Sequence, residues 1–334
     1  MNYKVFRGSV FDALPLIKSE SVDLVITSPP YWGLRSYGVE GELGAEPTLE
    51  AYLDNLMRWV KECWRVLKPS GSFVLNLGGC YVTKPKSSEN AGEINKNYGD
   101  KYSAHGYENK KDWWANLNKQ GNIYKSKQFL DLPAFAYQRI IEETDFVCRN
   151  RCVWCKPNVP SPIRSRLKQS TESVDWFVKD AKNYFFNAKP WLKSVGRAKK
   201  SKNPRLLAKT IGASKSSCFT TGENNNFETI EHSWRVVPVG EKQKGFELYG
   251  KKKQEHVAPF PEALVKPWIE SLTPPSGTVL DPFLGSGTVM KVARDLRLNA
   301  VGVELNEDYA GYAMKRVNWG CQVDDNTYEL VEAG

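Results

Sequence analysis

The stretch TVLDPFLGSGTVMKVARDLRLNAVGVEL, residues 278–305, decides the fold. It opens on a short apolar strand ending in Asp281, turns through Gly285 and Gly287, continues as a helix and closes on a second apolar strand ending in Glu304. A strand, a crossover helix and a strand make a βαβ unit, whose two strands run parallel. The glycines let the backbone turn sharply and come close to a ligand. The strand-end carboxylate Glu304 is placed to accept hydrogen bonds from a ribose diol. Glycine turn and strand-end acid at this spacing favour an adenosine-type ligand over a plain turn. No Lys-Ser/Thr follows the glycines, so a phosphate-gripping Walker loop is excluded.

Outward from this unit the same alternation recurs. NEDYAGYAMKRVN follows as a helix, and VDLVIT (22–27) and SFVLNLGG (72–79) read as buried strands. Between them TLEAYLDNLMRWVKECWRVLKPSG (48–71) has helical spacing, with Thr48 as N-cap and Pro69 and Gly71 marking the stop. LPAFAYQRIIEET (132–144) predicts a helix, VCRNRCVWCK (147–156) a strand, and ESVDWFVKDAKNYFFN (172–187) further regular structure. Strands alternating with helices argue an α/β fold, a mostly parallel sheet with helices on both faces. Two stretches break the pattern: a polar Lys-, Asn-, Gly- and Tyr-rich one from Tyr81 to about Lys127, and 188–228 with GRAKKSKNPR and GENNNFE. Both read as insertions rather than core.

The chain has 334 residues, 12% aromatic with 11 Trp, enough for a sizeable core and too aromatic for disorder. A net charge of +9 favours a polyanionic partner such as nucleic acid. Seven cysteines show no disulfide-like spacing, and Cys152-x-x-Cys155 after Cys148 lacks the second ligand pair of a zinc site, so no metal is expected. MNYKVFRGSV has no signal-peptide core, and no apolar run reaches membrane-spanning length, so a cytoplasmic protein is expected.

One short stretch is unusual. TSPPYWGLRSYG (27–38) ends the strand VDLVIT in two prolines, which cannot donate to a sheet ladder, followed by Tyr31 and Trp32. By itself it is either a Pro-Pro turn or a rigid corner exposing carbonyls and an aromatic face.

Together the two ends resemble the amino-methyltransferases that modify exocyclic nitrogens of DNA bases, in the β-class order with the catalytic motif before the cofactor motif. RGSVFDALPLIKSESVDLVITSPPY is similar to the opening of that family, LKPSGSFVLNLG to its next strand, and VWCKPNVPSPIRSRLKQSTESVDWFVKDAKNYFFN to its later segment. HVAPFPEALVKPWIESLTPPSGTVLDPFLGSGT resembles its cofactor block. The resemblance covers the chain apart from about 82–127 and 190–230. It implies a Rossmann-like, circularly permuted methyltransferase with S-adenosyl-L-methionine as cofactor.

By that resemblance the chain divides into a catalytic half (1–80), a polar insertion (81–128), a core continuation (129–189), a target-recognition region (190–232) and a cofactor-binding half (233–334). Asp281, Pro282, Phe283, Gly285, Ser286, Gly287 and Thr288 would surround the methionine part of the cofactor. Glu304 would hold the ribose, with Thr27 in the same set and His256, Phe260 and Pro261 lining the other side. The chain departs from the family's Gly-Asp near the start by carrying Gly8-Ser9, so either Ser9 or Asp12 contacts the adenine.

The Pro-Pro corner then acquires a chemistry. The amine of a base is a poor nucleophile because its lone pair is delocalised into the ring. Acceptors for both N–H protons favour a pyramidal nitrogen whose lone pair points at the methyl sulfonium. Ser28 Oγ and the Pro29 carbonyl supply them, Pro29 and Pro30 fix the geometry, and Tyr31 offers a face for a flipped base. Ring-carbon methylation would need a thiol nucleophile in Pro-Cys, and no Pro-Cys occurs. Serine at the first catalytic position is typical of cytosine-N4 enzymes and an acid of adenine-N6 enzymes, so cytosine N4 is expected, with adenine N6 the alternative.

Double-stranded DNA is the expected partner, contacted by Arg35, Arg164, Arg166, Arg197, Lys199, Lys200, Lys202 and Arg205. A cognate restriction endonuclease, monomer or homodimer, and a bacterial, archaeal or phage origin stay open. The rival readings are an RNA or protein-amide methyltransferase and a DNA-binding module without activity.

Overall fold

The computed structural model describes residues 1–33, 42–82, 124–125, 127–156, 165–197, 218–221, 226–230, 234–236, 261–318 and 327–333, with backbone only for the strands between 192 and 236. The first half contributes β1 (Asn2–Gly8), the short helix α1 (Val10–Ala13), β2 (Val22–Thr27), α2 (Leu49–Val66), β3 (Leu67–Leu77) and β4 (Cys80–Tyr81). Then come β5 (Phe129–Leu130), α3 (Leu132–Glu143), β6 (Val147–Cys155), β7 (Thr171–Val178), β8 (Leu192–Arg197), β9 (Cys218–Thr221), β10 (Asn226–Ile230) and β11 (Trp234–Val236). The last part is α4 (Glu262–Leu272), β12 (Thr278–Asp281), α5 (Thr288–Asp295), β13 (Asn299–Glu304), α6 (Glu307–Asn318) and β14 (Thr327–Ala333).

Among the described residues nine strands form one sheet in the order β11-β6-β7-β3-β2-β12-β13-β1-β14. Among the described residues every pairing in it is parallel except those of β7, which is antiparallel to β3 and β6. The mostly parallel sheet is as the sequence predicts. All six residues of β2 are buried, as a central strand covered on both faces requires. The period of two along each strand separates two cores. Phe6, Val25, Phe73, Leu75, Phe177 and Leu280 face α1, α2 and α3, while Val5, Leu24, Val74, Trp176 and Val279 face α4, α5 and α6.

Helix α2 starts as read, its Thr48 hydroxyl accepting from Ala51 N–H at 3.0 Å. It ends earlier than Pro69 and Gly71 suggest, because β3 begins at Leu67 with no connecting loop. The 172–187 stretch is a strand only to Val178. Within the low-hydrophobicity segment, β8, β10 and β9 form a separate antiparallel sheet. No helix among the described residues is long and apolar enough to cross a membrane.

Candidate active site

In an open α/β sheet a ligand crevice forms beyond the carboxyl ends of the strands, where strands from different parts of the chain become neighbours. Here that place is the join of β2 with β12, paired at Val279–Leu24 and Leu280–Val25. The pairing puts the end of VDLVIT beside the end of TVLD. The hydroxyl of Thr27 donates to Asp281 Oδ1 at 2.7 Å, coupling the two halves of the sequence at their strand ends.

Asp281 is 2% exposed and also accepts from Phe283 N–H at 3.1 Å. Burial raises its carboxyl to about 7, with Glu304 adding to the rise and the two hydrogen bonds opposing it. Beyond Asp281, Phe283 packs edge-on to Trp59 with ring centroids 5.1 Å apart, which anchors the turn to α2. Gly285 (φ +52°) and Gly287 (φ +78°) then carry the chain through left-handed conformations into α5.

Glu304 closes the loop from the neighbouring strand. Its Oε2 accepts from Gly285 N–H at 2.7 Å and its Oε1 from Asn306 N–H at 2.8 Å. Burial raises its carboxyl, against the pull of the Asn306, Gly285 and Leu305 amides. Each oxygen of a carboxylate offers two acceptor sites. With the Gly285, Asn306 and Leu305 amides on it, the carboxylate keeps an acceptor position for a ribose hydroxyl, so the donor set fits an adenosine-type ligand.

The two hydroxyls of the turn are engaged elsewhere. Arg316 of α6, 9% exposed, reaches the Ser286 carbonyl at 3.0 Å, Ser286 Oγ at 3.4 Å and Thr288 Oγ1 at 3.1 Å. Its other nitrogen meets Glu262 of α4 at 2.9 Å. Ser286 and Thr288 are thus held in a buried cluster joining three helices.

The Pro-Pro corner is pinned from outside. Tyr52 of α2 donates to the Pro30 carbonyl at 3.1 Å, Trp32 Nε1 to the Glu46 carbonyl at 2.9 Å, and Gly33 N–H to the Gly44 carbonyl at 2.9 Å. Among the described residues none donates to the Pro29 carbonyl. Ser28 Oγ lies 3.2 Å from Tyr31 Oη, which donates to Glu172 Oε2 at 2.9 Å and lies 3.3 Å from Asn76 Oδ1. The Tyr31 ring lies against Gly78, where an added Cβ would meet Cε2 at 2.8 Å and Glu172 Cγ at 3.0 Å.

Several expected site residues thus converge at the carboxyl ends of neighbouring strands: Thr27 at the end of β2 with Ser28 to Tyr31 just past it, Asp281 at the end of β12 with the glycine turn after it, and Glu304 at the end of β13. Ser9, just past the end of β1, caps α1 by accepting from Phe11 N–H at 3.2 Å, and Asp12 is exposed in that helix. Pro261 is the buried N-cap of α4. Arg166 lays its guanidinium 3.5 Å over the Tyr81 ring. Arg197 is the last residue of β8, described for its backbone alone. Arg35, Arg164, Lys199, Lys200, Lys202, Arg205, His256 and Phe260 lie outside the described residues, as does most of the 81–128 insertion.

Asn76 and Arg316 have no local signal in the sequence, whereas Lys156 and Glu172 belong to the Trp-x-Lys-Pro-Asn and later Glu by which the 153–187 segment resembles the family, with no role attached to them. Nothing local in that segment shows that Glu172 meets Tyr31 or that Lys156 pairs with Glu172.

Comparison with known proteins agrees with this geometry. Residues 22–315 match the N6/N4 DNA methylase family. The chain is 30% identical over 317 residues to the Type II methyltransferase M.Cfr9I of Citrobacter freundii, covering 94% of this chain and 87% of that one. Among solved structures, the cytosine-N4-specific PvuII DNA methyltransferase superposes with a TM-score of 0.59 at 20% identity, over 97% of this chain and 88% of that one. TTHA0409 from Thermus thermophilus, solved with S-adenosyl-L-methionine, superposes with a TM-score of 0.53 at 20% identity, over 99% of each chain. A match spanning both the Pro-Pro corner and the glycine turn, in this order along the chain, places the protein in the N6/N4 DNA methylase family.

Proposed function

We propose that this protein transfers a methyl group from S-adenosyl-L-methionine to the exocyclic N4 amine of a cytosine turned out of duplex DNA. The observation that carries the reading is the adjacency of two half-sites. Ser28 Oγ and the Pro29 carbonyl, acceptors suited to an amine, follow Thr27, which is hydrogen-bonded to Asp281 at the head of the glycine turn.

The bound cofactor supplies an electrophilic methyl on a sulfonium. The chain's task is to place the amine. Glu304 would hold the ribose diol, the Asp281–Gly285 turn the methionine part, and Ser9 or Asp12 the adenine. Ser28 and Pro29 accept the two N–H protons, so the nitrogen lone pair is free of the ring and aimed at the methyl. Tyr31, its ring set on Gly78, offers the base a face. Serine rather than an acid at position 28 supports cytosine over adenine.

Duplex DNA would be gripped by Arg166, beside Tyr81, and by Arg35, Arg164, Arg197, Lys199, Lys200, Lys202 and Arg205, with 190–232 reading the target. A cognate endonuclease is the partner such an enzyme would protect its host against.

Single-turnover methylation of a duplex with saturating cofactor tests the corner. Ser28→Ala removes one acceptor aimed at developing charge, a loss of about 3 kcal/mol or roughly a hundredfold in rate, with cofactor affinity intact. Ser28→Asp restores an acceptor and retains part of the activity. A wild-type rate in Ser28→Ala would place the chemistry elsewhere.

A further inference from the structure

The corner holds a carboxylate that amine placement does not use. Glu172 lies at the start of β7, the strand that runs against its neighbours. Its N-terminal end therefore reaches the edge where β2 and β3 finish. Glu172 Oε2 accepts from Tyr31 Oη at 2.9 Å and from Asn76 Nδ2 at 3.3 Å, while Oε1 pairs with the Lys156 ammonium. Both members of that pair are mostly buried, at 13% and 14% exposure.

The order of protons along this chain follows from valence. An ionised carboxylate only accepts, and a phenol has one proton to give. Tyr31 gives it to Glu172, the nearer acceptor, since Asn76 Oδ1 stands at 3.3 Å. Tyr31 Oη then faces Ser28 Oγ at 3.2 Å as an acceptor, which makes Ser28 the donor. The remaining lone pairs of Ser28 are left for the incoming amine. Without the carboxylate, the Ser28–Tyr31 bond could run either way, and a Ser28 that accepted from Tyr31 would compete with the substrate.

Resting on the reading of Ser28 as amine acceptor, we infer that Glu172 is a positioning residue that fixes this direction and takes up, through Tyr31 and Ser28, the proton that methyl transfer releases. The amine nitrogen bonds to the methyl carbon, and the carbon–sulfur bond breaks with its electron pair left on sulfur. The methylated nitrogen, now cationic, gives one proton to Ser28 Oγ. Ser28 passes its own to Tyr31, and Tyr31 its own to Glu172. Release of that proton to water resets the corner. Lys156 pairs with the far oxygen of Glu172, so the oxygen facing Tyr31 stays available to accept.

A purely structural Glu172 would merely tether Lys156 and Asn76. Glu172→Gln, Tyr31→Phe and the double variant distinguish the two roles. Glutamine keeps the size but can donate to Tyr31 and reverse the chain. Phenylalanine keeps the ring face and the Glu172–Lys156 pair but cuts the wire. Each single variant should slow single-turnover methylation on the order of a hundredfold, with cofactor and duplex Kd within about twofold of wild type. The double variant should be no slower than the slower single one, because both break the same chain. A wild-type rate in Tyr31→Phe, or multiplying losses in the double variant, overturns the inference. A wild-type rate in Glu172→Gln beside a slow Ser28→Ala overturns it too while leaving the proposed function standing. Wild-type rates in Glu172→Gln and Ser28→Ala together would remove the underlying reading.

Discussion

Thr27 and Asp281 lie 254 positions apart, yet their hydrogen bond is 2.7 Å long and buried. Such a bond is possible only after the sheet has formed, so the join of the two strand ends is assembled by the fold. Asp281 bears the cost. Its carboxyl titrates near 7 in the folded protein, against a reference value of 3.8. Ionising it between those values disfavours the folded state. The stability tied to this group is full below about pH 4 and is lost as pH rises through about 7. Asp281→Asn keeps the shape and the acceptor for Thr27 but cannot ionise. Denaturant unfolding between about pH 5 and 8 should therefore show a smaller loss of stability with rising pH in the variant than in wild type. Equal slopes would mean that Asp281 is not the group titrating there.

At the scale of the element, the βα turn shows how one residue type serves two purposes. Gly285 and Gly287 read from sequence as room for a ligand. Both take left-handed φ, but Gly287 also lets α5 touch α6: an added Cβ would meet Ala313 Cβ at 2.8 Å and Cα at 3.0 Å. Gly287→Ala should cost about 1–3 kcal/mol through overpacking and a positive φ, read as a lower denaturation midpoint with unchanged slope. An unchanged midpoint would show that the helices give way without strain.

What the sequence reveals follows the range of each interaction. The βαβ unit, β2 and the Thr48 cap depend on residues close together, and their patterns are plain. The partners of Tyr31 are 45 and 141 positions away, so its hydroxyl network is invisible locally. Strand β14 is exposed along most of TYELVEA and has no apolar alternation to mark it. The strands β8, β9 and β10 are held by backbone pairing, which leaves little trace in composition.

Across the whole molecule, the chain enters the sheet at β1 near one edge, crosses to the other edge, and returns through β12 and β13 between strands it laid down first. The insertion of the C-terminal unit beside β2 brings the Pro-Pro corner and the glycine turn to neighbouring strand ends. In the proposed function that arrangement carries methyl transfer to a base amine, and the identity of the base is its most exposed consequence. The direct measurement is transfer of labelled methyl from S-adenosyl-L-methionine to duplex DNA, tRNA and a protein extract in parallel, followed by digestion and chromatography of the labelled product. Label is expected in duplex DNA, recovered as N4-methylcytosine. Label recovered as N6-methyladenine, or found in tRNA or protein instead of DNA, would contradict that expectation.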